Sequence, residues 1–82
     1  MTHTQAHQRK RLGSAHFNRL NDALQSFTPC ELQRGIEDGE LVYYILDGCG
    51  DRMGDGWHDL EEVELYIRNN DEIDAYLQGV NA

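Results

Sequence analysis

The stretch Glu40-Leu41-Val42-Tyr43-Tyr44-Ile45-Leu46 decides the fold, because it reads in two ways. Val42, Tyr43, Tyr44 and Ile45 are β-branched or aromatic, and such side chains fit the pleated surface of a strand. Leu41 and Val42 recur four residues later as Ile45 and Leu46, a spacing that puts apolar side chains on one face of a helix. A lone strand needs a partner. Residues 51–58 could fold back as one, but they are rich in glycine and poor in β-branched residues. On that ground the segment is read as helix. A strand or hairpin around 40–58 is the alternative, and it would imply a small α/β unit or an edge open to strand addition.

On the C-terminal side, Asp47, Asp51, Asp55 and Asp59 fall at every fourth residue among Gly48, Gly50, Gly54 and Gly56. Asp59 then opens a helix. It can cap, Glu62 stands three residues on, and Leu60, Val63 and Ile67 form an apolar series at helical spacing. This helix is expected to end at Arg68, followed by Asn69 and Asn70. Asp71 is expected to cap a last short helix that buries Ile73, Tyr76 and Leu77 and stops at Gly79. On the N-terminal side, Thr28-Pro29-Cys30-Glu31 reads as another helix start, with a capping threonine, a first-turn proline and a glutamate that can reach back. That helix would carry Leu32 and Ile36 inward, weakened by Gly35 and Gly39. Ser14 can cap a helix to about Ser26 on which Phe17, Leu20 and Leu24 share a face. Residues 1–13 are polar and His-rich without periodicity. They read as a flexible basic arm, leaving 14–82 as a single small acidic domain. The expected fold is mostly α, a single-domain helical protein of three to four short helices.

At 82 residues the chain holds one domain near the size where a single core is only just sufficient, and where a homodimer would help. No apolar run approaches the ~20 residues that span a membrane. The basic first eleven residues are not followed by the apolar segment of a signal peptide. Cys30 and Cys49 are therefore read as reduced thiols, and the compartment as cytoplasmic. The net charge of −8 hides an asymmetry. Residues 1–30 hold Arg9, Lys10, Arg11 and Arg19 against Asp22 alone. Residues 31–82 hold only Arg34, Arg52 and Arg68 against every other carboxylate. An acidic body repels nucleic-acid phosphates and favours a protein partner with a basic surface.

The segment from Asp51 to Glu62 resembles the calcium-binding loop of EF-hand proteins. The resemblance implies oxygen ligands from Asp51, Asp55, Asp59 and Glu62, a backbone carbonyl from Trp57, and Gly56 at the turn. Met53 stands where that family places another oxygen ligand, and His58 where it places an aliphatic residue. No second loop accompanies it. His3, His7, His16, His58, Cys30 and Cys49 lack the paired spacing of a zinc site. No nucleophile motif, phosphate-binding glycine loop or dinucleotide fingerprint is present, so no enzymatic activity is expected.

The expected role is that of a small acidic, non-enzymatic protein that binds and modulates or inhibits a partner. Asp47, Asp51, Asp55, Asp59, Glu61, Glu62 and Glu64 would carry the charge, with Trp57 as an aromatic anchor. Carboxylates spaced along a loop and helix can imitate a row of phosphates on a basic, nucleic-acid-binding surface. In size and charge alone the chain is similar to phage-encoded inhibitors of CRISPR and restriction systems. The alternative role is an EF-hand-like calcium-binding module; otherwise no cofactor is expected, and no membrane partner.

Overall fold

Residues 40–46 form the middle strand of a three-stranded antiparallel sheet, and the expectation of a mostly helical protein is overturned. The computed structural model describes the backbone of residues 2–81 and the side chains of residues 15–79. The order of elements is α1 (Thr2–Phe27), β1 (Glu31–Glu37), β2 (Glu40–Leu46), β3 (Arg52–Trp57), α2 (Leu60–Ile67) and α3 (Asp71–Asn81). The fold is thus α/β, a β1-β2-β3 meander with helices before and after it. Ser14, expected to open the first helix, lies within α1, whose backbone is helical from Thr2, and the side chains of the arm expected at residues 1–13 lie outside those described.

The partner that β2 lacked in sequence is supplied on both sides. Upstream, Asp38-Gly39 is a two-residue turn in which both residues have positive φ, 52° and 80°. That is the type I′ geometry whose twist matches a hairpin, and Asp-Gly is one of its favoured sequences. It sets β1 against β2 in the register Leu32↔Ile45, Arg34↔Tyr43 and Ile36↔Leu41. The helix expected from Thr28 does not form. The Thr28 hydroxyl instead donates to the Leu24 carbonyl at 2.6 Å and accepts from the Cys30 amide at 3.0 Å. Threonine therefore closes α1 rather than opening another helix, and Pro29 follows where the helix cannot continue.

Downstream, glycine does not prevent β3; it shapes it. Tyr43 pairs with Trp57 and Ile45 with Met53, so Tyr44 alone faces the three residues Gly54, Asp55 and Gly56. The surplus is a bulge, with φ of 76° at Gly54 and 89° at Gly56. A Cβ on Gly56 would lie 2.7 Å from the Tyr43 carbonyl oxygen and 2.9 Å from Val42 Cγ1. Glycine is the residue that both the backbone angle and the close approach allow. This approach covers Val42 on the face of the sheet away from the helices, leaving it 4% exposed.

The helix-facing side of the sheet buries Leu32 and Ile45. They pack with Leu20, Ala23 and Leu24 of α1, Leu60, Val63 and Ile67 of α2, and Ile73 and Leu77 of α3. Phe17, Cys30, Tyr43 and Trp57 border this core. Asp59 caps α2 as expected, its carboxylate accepting from the Glu61 amide at 3.0 Å. The cap of α3 is Asn70 rather than Asp71. Its Oδ1 accepts from the amides of Glu72 at 2.9 Å and Ile73 at 3.2 Å. Nor does α3 stop at Gly79, since it runs on to Asn81. Tyr76, expected inside, is 37% exposed and packs edge-on against Phe27.

Candidate functional site

The meander divides the acidic stretch 47–62 between two ends of the sheet. Asp47 and Asp51 lie in the β2–β3 turn. The half-buried Asp47 carboxylate is occupied there, accepting from the amides of Cys49 at 2.8 Å and Asp51 at 3.0 Å. A side chain so engaged organises its own turn. Asp55, Asp59, Glu61 and Glu62 lie towards the other end and are all exposed. Glu64 lines a hollow with Glu61, His16 and Arg19. It is half-buried, bonded to His16 Nε2 at 2.9 Å and paired with Arg68 at 3.5 Å, so it ties α1 to α2.

The end that holds Asp55 and Asp59 gains carboxylates from elsewhere in the chain. His58 follows Trp57 directly, and its Nδ1 lies 3.2 Å from the Leu41 carbonyl and 3.7 Å from Glu40. This brings the β3–α2 junction beside the tip of the β1–β2 hairpin, where Glu37, Asp38 and Glu40 are exposed. The result is one acidic end built from Glu37, Asp38, Glu40, Asp55, Asp59, Glu61 and Glu62. Sequence reasoning missed the first three because it placed residues 28–39, and then 40–46, on helices. The Asp38-Gly39 pair between two apolar-containing segments was the signal that could have found them.

Two arginines border these carboxylates among the described residues: Arg19 shares a hollow with Glu61, and Arg52 is engaged by Glu37. Both terminal nitrogens of Arg52 donate to the Glu37 carboxylate, one of them at 3.3 Å. Arg52 also donates to the Asp55 carbonyl and lies 4.7 Å over the Tyr44 ring. A planar guanidinium suits this combination of fork and stack. The hydrogen bond from Arg52, chiefly, holds the Glu37 carboxyl below its ordinary value of 4.5, and Glu37 raises Arg52 in return. A depressed carboxyl contributes stability above its unfolded value and loses it as pH falls through the folded one. Glu37→Gln is therefore expected to lower the melting temperature slightly at pH 7, and the deficit to shrink as pH falls below 4.5. A deficit that does not change with pH would assign the effect to packing instead.

Trp57 is half-buried at the border of the core, its ring 4.9 Å from that of Tyr66. Neither the tryptophan nor the aspartates adopt a calcium-loop arrangement. Residues 52–57 are strand, and Asp51 and Asp59 lie beyond its opposite ends. Arg52 pairs with Leu46 and Trp57 with Tyr43, three steps along β2 or about 10 Å. Ligands of one calcium ion each stand roughly 2.3–2.6 Å from it. Among the described residues, no three His, Cys, Asp or Glu side chains are grouped so as to hold a metal ion. Cys30 and Cys49 are unbridged, and no helix among the described residues is long and apolar enough to cross a membrane.

These features define a small α/β domain with a concentrated acidic end. Comparison with protein-family models, curated proteins and solved structures finds nothing that matches the chain.

Proposed function

We propose that the protein is a non-enzymatic docking module whose acidic end engages a basic surface on a protein partner and modulates or inhibits it. What carries the reading is the convergence of Glu37, Asp38, Glu40 with Asp55, Asp59, Glu61 and Glu62, around an arginine already turned onto Glu37. Exposed carboxylates at such density steer a cationic partner and fix its orientation more than they stabilise the fold. They also repel phosphates, so the acidic end takes the place of a nucleic acid rather than binding one. The unbridged cysteines fit a reducing compartment such as the cytoplasm.

The test is capture of partners by the tagged protein from its native cell at low and high salt, with duplex DNA as competitor. A partner released both by salt and by DNA is expected. A partner retained through both would point to an apolar interface and against the charge reading. Calcium provides a separate check. Millimolar calcium is expected to leave the melting temperature unchanged, whereas a rise abolished by Glu62→Gln would favour a calcium-binding role.

A further inference from the structure

Two hollows open along β3 and α2, one towards the end of the sheet opposite the acidic end, where α1 and α3 also border it, and the other beside Asp55 of the acidic end. The first, of about 370 Å³, is floored by Leu24, Cys30, Ile45, Met53, Ile67 and Ile73. The other, of about 390 Å³, lies between the Gly54–Gly56 bulge, Trp57 and Tyr66. Met53 and Tyr66 line both, so the two form one groove with a shared wall. Its floor is apolar. The Cys30 sulfur meets the Met53 sulfur at 3.9 Å, and the asparagines at the rim are internally engaged. Asn69 donates to the Tyr66 carbonyl at 3.0 Å, and Asn70 caps α3. Tyr66 and Met53 are 46% and 38% exposed, well above the buried side chains behind them.

Three exposed carboxylates flank the groove. Asp55 lines the second hollow, Glu62 stands one helical turn before Tyr66 on α2, and Asp51 precedes β3. Arg52 is held on the opposite face of the sheet over Tyr44, and Arg68, which lies between the lining residues Ile67 and Asn69, is paired with Glu64 and Asp74. A polyanion or an anionic membrane would meet these carboxylates unfavourably, and a purely cationic surface would leave the apolar floor unused. The β3 edge beside the groove carries the bulge, which breaks the regular ladder an added strand would copy. Recognition then rests on side chains entering the hollows.

Resting on the docking function above, we infer that the groove receives two apolar side chains from a lysine- or arginine-rich segment of the partner. The acidic end orients that segment, and the groove fixes it. The chemistry is that of a short peptide motif in which apolar residues alternate with cations.

Two synthetic lysine-rich peptides of equal length and charge provide the probe. One has two leucines spaced two residues apart, and the other has serines there. Trp57 is the sole tryptophan and lines the groove, so its fluorescence reports occupancy. The leucine peptide should bind at least roughly tenfold tighter than the serine peptide, as expected for burying two apolar side chains. It should also shift the amide resonances of Met53, Trp57 and Tyr66 in the unaltered protein. Met53→Thr with Tyr66→Ser should abolish the difference, and Leu65→Ser, on an exposed face outside the groove, should not. Equal, salt-sensitive affinities for both peptides would overturn the groove while leaving the acidic end in place. Loss of the difference in Leu65→Ser, with resonance shifts on that face, would also overturn it. Binding of neither peptide would refute the docking function and the groove together. Quenching of Trp57 by a single-stranded DNA of similar length would contradict both.

Discussion

Gly56→Ala is expected to destabilise the protein by roughly 3 kcal/mol, combining backbone strain at positive φ with overpacking in a close contact. Its φ is 89°, and the added Cβ would meet the Tyr43 carbonyl at 2.7 Å, Val42 at 2.9 Å and an Arg52 nitrogen at 3.1 Å. The first of these atoms is backbone in the middle strand, so it cannot rotate away. Gly54→Ala is the internal control. Gly54 has φ of 76° but nothing within 4 Å of the added carbon, so only the strain remains, about 1 kcal/mol. Denaturant unfolding of the two variants measures the difference. Equal losses would mean that the bulge does not press on β2 as described.

Ile45→Ala should cost about as much, roughly 3 kcal/mol within the 2–5 kcal/mol typical of buried isoleucine truncation. Ile45 is 2% exposed, sits on the central strand, and touches elements that precede and follow the sheet. Ile36 lies in the same sheet and is 69% exposed. Ile36→Ala should therefore stay within about 0.5 kcal/mol of the parent protein. The pair separates burial from strand propensity, since both residues are isoleucines in strands. A large loss at Ile36 would require that face to be covered.

The contrast between these two isoleucines explains what could be read in the sequence. Helical spacing in Phe17, Leu20 and Leu24, and in Leu60, Val63 and Ile67, marked the buried faces of α1 and α2, because a helix that buries one face writes its period into the chain. It did not reveal that α1 begins at Thr2 rather than Ser14. The strands wrote no such period. Val42 is buried on one face of β2 by the Gly56 bulge and Ile45 on the other by the helices, so the segment lacks the alternation of a half-buried strand. Glycines that argued against β3 are the residues its bulge requires. Thr28-Pro29 carried a true capping signal at the wrong end of a helix, since a threonine hydroxyl can close one helix as well as open the next.

The candidate site was legible in part for the same reason. Asp55, Asp59, Glu61 and Glu62 were singled out as charged and are exposed together, whereas Asp47 is occupied by its own turn and Glu64 by His16 and Arg68. Which carboxylates share an end depends on strand pairing. Glu37, Asp38 and Glu40 join the others only because the type I′ turn and His58 bring the hairpin tip to the α2 N-terminus.

The most direct test sets two neutralised variants against each other, both binding the leucine-containing lysine peptide at low and high salt. One carries Asp38→Asn, Glu40→Gln, Asp59→Asn and Glu62→Gln at the acidic end. The other carries Asp22→Asn, Asp71→Asn, Glu72→Gln and Glu31→Gln, outside both the acidic end and the charges named around the groove, removing the same net charge. Exposed charges are screened beyond about 8 Å at physiological ionic strength, so position matters more than the total. The first variant is expected to lose most of its affinity and salt dependence, and the second to retain both. Equal losses in the two variants would contradict a localised acidic docking end and reduce the effect to overall charge.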